Sequence, residues 1–207
     1  MNRKFAVIGL VGAVLTTLAA LAVAALIEPA SDVSDEMWSY PLTADAFVPV
    51  SVLYAVFHLL VLVGMLAVVA AMGPNRAGRI GAILATVGTL VLFLAEFASI
   101  PIADQRLDDT GPQVVGAVFG LGVALTAIGL LVAGVAVLRS GQWDGWRRYA
   151  PLGAGIWSLV MIGLSMTSAL PIGVAIYGVT LVVLFAAVYP RTTATATEAR
   201  LRARVDH

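Results

Sequence analysis

Two ionisable side chains stand where lipid-soluble residues are expected. Glu96 lies inside "VLFLAEFASIP", and His58 stands among leucines, valines and aromatics in "LYAVFHLLVLVG". Ionisable groups at membrane depth are costly and rare, so each calls for a partner and a role. The short turn between their two segments is centred near residue 76 or 77. In an antiparallel hairpin, residues equidistant from the turn share one depth, and 58 and 96 average to 77. They are therefore expected side by side. Ser51, Tyr54 and His58 follow i, i+3, i+7, one face of a helix. Thr86, Thr89, Phe93 and Glu96 supply a matching face on the next helix. If these faces meet, a Glu–His hydrogen bond beside Tyr54 offsets the desolvation of both groups. Three readings of the pair stay open: a structural pair fixing helix register, a Glu96 that reaches the outer interface while His58 caps nothing in particular, and the lining of an outward-facing pocket that binds a ligand or relays a proton. The pocket candidates are Ser51, Tyr54, His58, Thr89, Glu96 and Tyr177.

The elements that must position these residues follow from composition. The chain has 207 residues, 60% of them hydrophobic and 12% charged, with a mean hydropathy of +0.98. A soluble domain carries about 25% charged residues, so lipid must solvate most of this surface. Cysteine is absent and histidine occurs twice, at His58 and His207. Disulfides and thiolate chemistry are thereby excluded, and no metal site or cofactor is expected. No phosphate loop, HExxH or GxSxG occurs, which argues against an enzyme. The glycines of "FGLGVALTAIG" follow no strand, so they do not mark a nucleotide site.

Runs of about 20 apolar residues span a bilayer as helices. Six such runs are present, near 5–27, 47–72, 80–102, 113–138, 150–170 and 171–189. The expected fold is an all-α polytopic membrane helix bundle of six transmembrane helices over 1–190, with a basic cytoplasmic tail over 191–207. Pro171 marks the turn between the last two. "GAVFGLGVALTAIG" and "LGAGIWSLVMIG" read as packing faces, because small residues let membrane helices approach closely. The first run is about 23 residues long, beyond the 7–15 of a signal-peptide core, so a retained helix is expected.

Charge sets the direction. Of the 12 Lys and Arg residues, 11 fall on one side of the predicted spans, and only Arg106 lies opposite. The positive-inside rule makes that side cytoplasmic and holds both termini inside. Glu28, Asp32, Asp35, Glu36, Asp45, Asp104, Asp108 and Asp109 all fall outside. The Ala/Val/Gly/Arg-rich, lysine-poor composition suits a bacterial plasma (inner) membrane. The first outer loop, "EPASDVSDEMWSYPLTADA", is long enough to fold over the bundle's mouth, with Trp38 and Tyr40 as lid candidates. The alternative is a solvated acidic loop with both aromatics in the interfacial belt. In "RSGQWDGWRRY" the aromatics and arginines anchor the opposite interface. The tail carries a capping-box pattern, Thr195 to Glu198, and its basic stretch does not imply nucleic acid.

Three tetrads resemble one another: "AVFH" at 55–58, "AVFG" at 117–120 and "AIYG" at 175–178, spaced by 62 and 58 residues. The helices before them meet Pro29, Pro101 and Pro171 at their outer ends. This pattern allows three repeated helical hairpins, a construction met in transporters. With the "SD" of "ASDVSDEMW" and the turn "GPNRAGR", it makes the whole chain resemble, in layout, small six-helix bacterial membrane proteins catalogued as domains of unknown function. That resemblance carries over no functional residue. Three functions stay open. The first is binding, with or without transport, of a lipid or small apolar molecule. The second is a structural subunit partnered by another membrane protein or its own copy. The third is an intramembrane enzyme.

Overall fold

In a bilayer core no water can satisfy backbone N–H and C=O groups, so an apolar run must bond to itself as a helix. The computed structural model describes residues 2–165 and 167–205, with the side chains of 3–165 and 167–189. It contains six α-helices: α1 (Asn2–Ala22), α2 (Ala44–Ala71), α3 (Arg76–Ser99), α4 (Thr110–Ser140), α5 (Ala150–Leu164) and α6 (Leu170–Val205). Thr195, Glu198, His207 and the arginines of the tail lie outside the described side chains.

Among the described residues, five helices are long and apolar enough to cross a membrane. The sixth, α5, has 15 residues and rises about 22 Å, short of the ~30 Å hydrocarbon core. The sequence predicts a span over 150–170, but α5 stops at Leu164. At its end Ser165 Oγ donates to the Ile162 carbonyl at 2.8 Å and Thr167 Oγ1 to the Leu164 carbonyl at 2.9 Å. A 3-10 turn, Gly145–Tyr149, leads into α5 from the other side. Pro171 then sits in the first turn of α6, where its missing N–H costs nothing.

Each helix packs on its chain neighbours, and α6 returns against α1 and α2 to close the bundle. The chain alternates between two ends. The terminus end holds Arg3, Lys4 and the connections 72–75 and 141–149; the loop end holds the connections 31–43, 103–109 and 165–169. The continuous core lies toward the terminus end, where Val61, Met65, Val68, Leu130, Val137, Leu181, Leu184 and Phe185 are buried together. Exposed leucines, valines and isoleucines on every helix form the outward face.

Lipid tails compete equally for apolar surface, so close backbone approach must hold such helices together. On α3 and α4 a Cβ at Gly88 would lie 2.5 Å from the Thr126 amide and 2.7 Å from the Gly122 carbonyl oxygen. The buried hydroxyls of Thr16, Thr89, Thr126 and Ser158 each donate to the carbonyl four residues back, which satisfies them inside their own helices. Between helices, Trp157 Nε1 donates to the Gly173 carbonyl at 2.9 Å and fastens α5 to α6. Trp157→Phe should cost about 1 kcal/mol, measured as a lower melting temperature in detergent.

The repeated features diverge in space. Pro29 and Pro101 each sit in a 3-10 turn that ends a long helix, Glu28–Ala30 and Ile100–Ile102. Pro171 instead opens α6. Ala55 and Ala175 are buried, whereas Ala117 is exposed, so the tetrad on α4 faces differently from those on α2 and α6.

Candidate functional site

The turn after Met72 folds α2 back along α3. Asn75 makes it by accepting the Gly78 amide at 3.0 Å on Oδ1, the N-cap of α3. Asn75 Nδ2 also donates to the Ala136 carbonyl at 3.1 Å, tying this corner to α4. From this turn His58 and Glu96 come level, with Nδ1 3.3 Å from Oε1. Their side chains are 19% and 12% exposed. The contact is an ion-pair distance rather than the expected hydrogen bond, since Nδ1 is buried without a hydrogen-bond partner. The separation is right for a charged pair, but the N–H direction is wrong for donation, and direction defines a hydrogen bond. Tyr54 stands one turn toward the loop end on the same helix, half-buried. Its ring packs edge-on against Phe57, with centroids 5.7 Å apart.

The other candidates stand differently. Ser51 is buried. Thr89 is fully buried, and its hydroxyl is used by the Ala85 carbonyl at 3.0 Å, so it offers nothing to a ligand. Tyr177 is half-buried and leans on the apolar core. What the fold brings together at the loop-end half is thus Tyr54, His58 and Glu96. Chemically this trio offers an imidazole, a carboxylate and a phenol in a setting where each polar group gains from any added partner.

The first loop lies at the same end of the bundle. Trp38 rests against α4, with its ring 6.3 Å from Phe119 and close over Gly116. Its Nε1 is buried and has no hydrogen-bond partner. The loop is clipped to the connection 103–109 by two backbone bonds, the Trp38 amide to the Gln105 carbonyl at 2.9 Å and the Leu107 amide to the Glu36 carbonyl at 2.8 Å. Arg106 completes the clip, 2.8 Å from Glu36 and 3.3 Å from Asp108. The hydrogen bond and charge of Glu36, with a smaller contribution from Asp108, raise the Arg106 pKa. Tyr40 is half-buried beside Glu28; desolvation, then the charges of Glu28 and Asp35, raise its pKa above the ordinary tyrosine value. Phe119 and Gly116 as the seat of Trp38 were not readable from spacing, since a loop and a helix some eighty positions apart share no sequence period. Arg106→Gln should speed hydrogen exchange at the Trp38 and Leu107 amides several-fold while leaving helix amides unchanged.

Among the described residues no three His, Asp or Glu side chains cluster as a metal site. Fold and site together define a polytopic membrane helix bundle with a partly enclosed His–Glu pair and a pinned first loop at the same end. No protein-family model, no curated protein and no solved structure matches the chain.

Proposed function

We propose that this chain is a multi-pass bacterial plasma-membrane protein that binds a lipid or small apolar molecule through the His58–Glu96 pair, in a pocket reached from the loop end, and can transport it. The observation that carries this reading is the pair itself. It is level at membrane depth, partly exposed, and its imidazole Nδ1 lacks a hydrogen bond. A pair serving only helix register would be expected to close a directional hydrogen bond. The apolar residues that flank the pair in sequence suit an apolar body, and the polar trio suits one hydrogen-bonding group upon it. The excess of cations at the terminus end supports a cytoplasmic position for it, so the pocket would face outward.

Native mass spectrometry of gently solubilised protein, beside Glu96→Gln and His58→Ala, tests the proposal. A bound mass carried by the natural protein and lost from both folded variants supports it and identifies the ligand class. A bare protein, or a bound partner subunit indifferent to both changes, sinks it in favour of a structural role.

A further inference from the structure

The terminus end holds a second feature, separate from the loop-end pair. An open groove of about 400 Å³ runs between the α2–α3 turn and the last turn of α4, lined among others by Asn75, Ala77, Arg139, Ser140 and Gln142. Gly141, between the lining residues Ser140 and Gln142, ends α4 in the left-handed conformation at φ 62° and ψ 13°, which glycine adopts without strain. The next residue, Gln142, is thereby turned back beside the groove. Its Oε1 is buried and has no hydrogen-bond partner. Arg139 is exposed, and among the described residues no carboxylate pairs with it.

We infer that this groove binds the headgroup of an anionic phospholipid, a phosphodiester bearing hydroxyl donors, of the phosphatidylglycerol kind. Arg139 meets the phosphate as a charge-assisted donor. Two carbonyls of the last turns of α4, which would repel an anion, are already used. Ala136 accepts from Asn75 Nδ2 at 3.1 Å and Val137 from Ser140 Oγ at 3.1 Å. A headgroup hydroxyl supplies the donor that Gln142 Oε1 lacks; a choline headgroup has none to give. The surroundings favour net negative charge. Arg3, Lys4, Arg76, Arg79, Arg139, Arg147 and Arg148 share this end with one described acid, Asp144. Exposed Trp146 and Tyr149 at the same end suit the headgroup level of a bilayer. That position is why a lipid, rather than a free phosphate ester, is the source of the anion. Basic pockets between helices at this depth are a recognised means of holding anionic lipid.

The test uses the full chain in phosphatidylcholine nanodiscs doped with phosphatidylglycerol, with retained lipid counted by native mass spectrometry after release. The expected result is phosphatidylglycerol retained over phosphatidylcholine. Arg139→Gln should weaken retention about tenfold or more, as for loss of a charged hydrogen bond. Gln142→Leu should weaken it less, and Arg148→Gln, outside the groove, should leave it unchanged. Melting temperature is followed for each variant, and Arg139→Lys, which keeps the charge, should restore part of the retention. Equal retention of both lipids, equal loss with Arg148→Gln, or displacement by soluble glycerol phosphate would each overturn the assignment.

Discussion

Gly64→Val should leave little folded protein to purify. A Cβ at this position would lie 2.5 Å from the Gly9 Cα and 2.7 Å from the Phe185 ring. On one side it meets backbone, which no rotamer change can move aside. On the other it meets a fully buried ring at the centre of the core, where α1, α2 and α6 converge. Overpacking of a well-filled core costs about 1–3 kcal/mol, occasionally more, and a backbone clash belongs at the upper end. Because helix association in lipid relies on such approach, the loss should appear as aggregation on extraction or a collapsed melting temperature. Gly120→Ala is the control. Nothing lies within 4 Å of the Cβ it would add, and alanine improves helix propensity by up to about 1 kcal/mol. It should therefore be neutral or slightly stabilising. A folded, heat-stable Gly64→Val protein would show that the α1–α2 crossing is looser than described.

Glu96→Gln should have the second large effect, on binding rather than on folding. The substitution keeps the side-chain volume and one acceptor but removes the negative charge beside His58, 3.3 Å away. Polar contacts between membrane helices are worth about 0.6 kcal/mol on average and rarely above 1.7, so the bundle should melt within a few degrees of the natural protein. A ligand group held by the carboxylate would lose a charged hydrogen bond worth about 1.5–3 kcal/mol, a loss of about ten- to a hundredfold in affinity. A large fall in melting temperature without any change in bound ligand would assign the pair to helix register instead.

The level pairing of His58 and Glu96 was legible because an antiparallel hairpin converts sequence distance from a turn into depth. The orientation of the imidazole was not, since rotamers respond to neighbours on other helices. The face drawn through Ser51 and Thr89 met the same limit. Helical spacing marks which residues share a stripe, but not that Thr89 turns its hydroxyl onto its own backbone at Ala85. Apolar run length foretold six helices, yet overestimated α5. "LSMTSALP" remains apolar enough on average to hide a turn in which two side-chain hydroxyls bond back to the helix. The similar tetrads suggested equal hairpins, and composition alone could not reveal that Ala117 faces outward while Ala55 and Ala175 face inward. Trp38 over Phe119 is a purely tertiary contact.

Tyr54, His58 and Glu96 are proposed to border a site open to the loop end. The chain has no cysteine, so Tyr54→Cys introduces a single thiol at that site. Sealed proteoliposomes of known orientation would be treated with a charged, membrane-impermeant maleimide from the loop-end side. The account predicts labelling without detergent, suppressed when the ligand found by mass spectrometry is added back. Labelling only after denaturation would contradict it and leave His58 and Glu96 as a sealed structural pair.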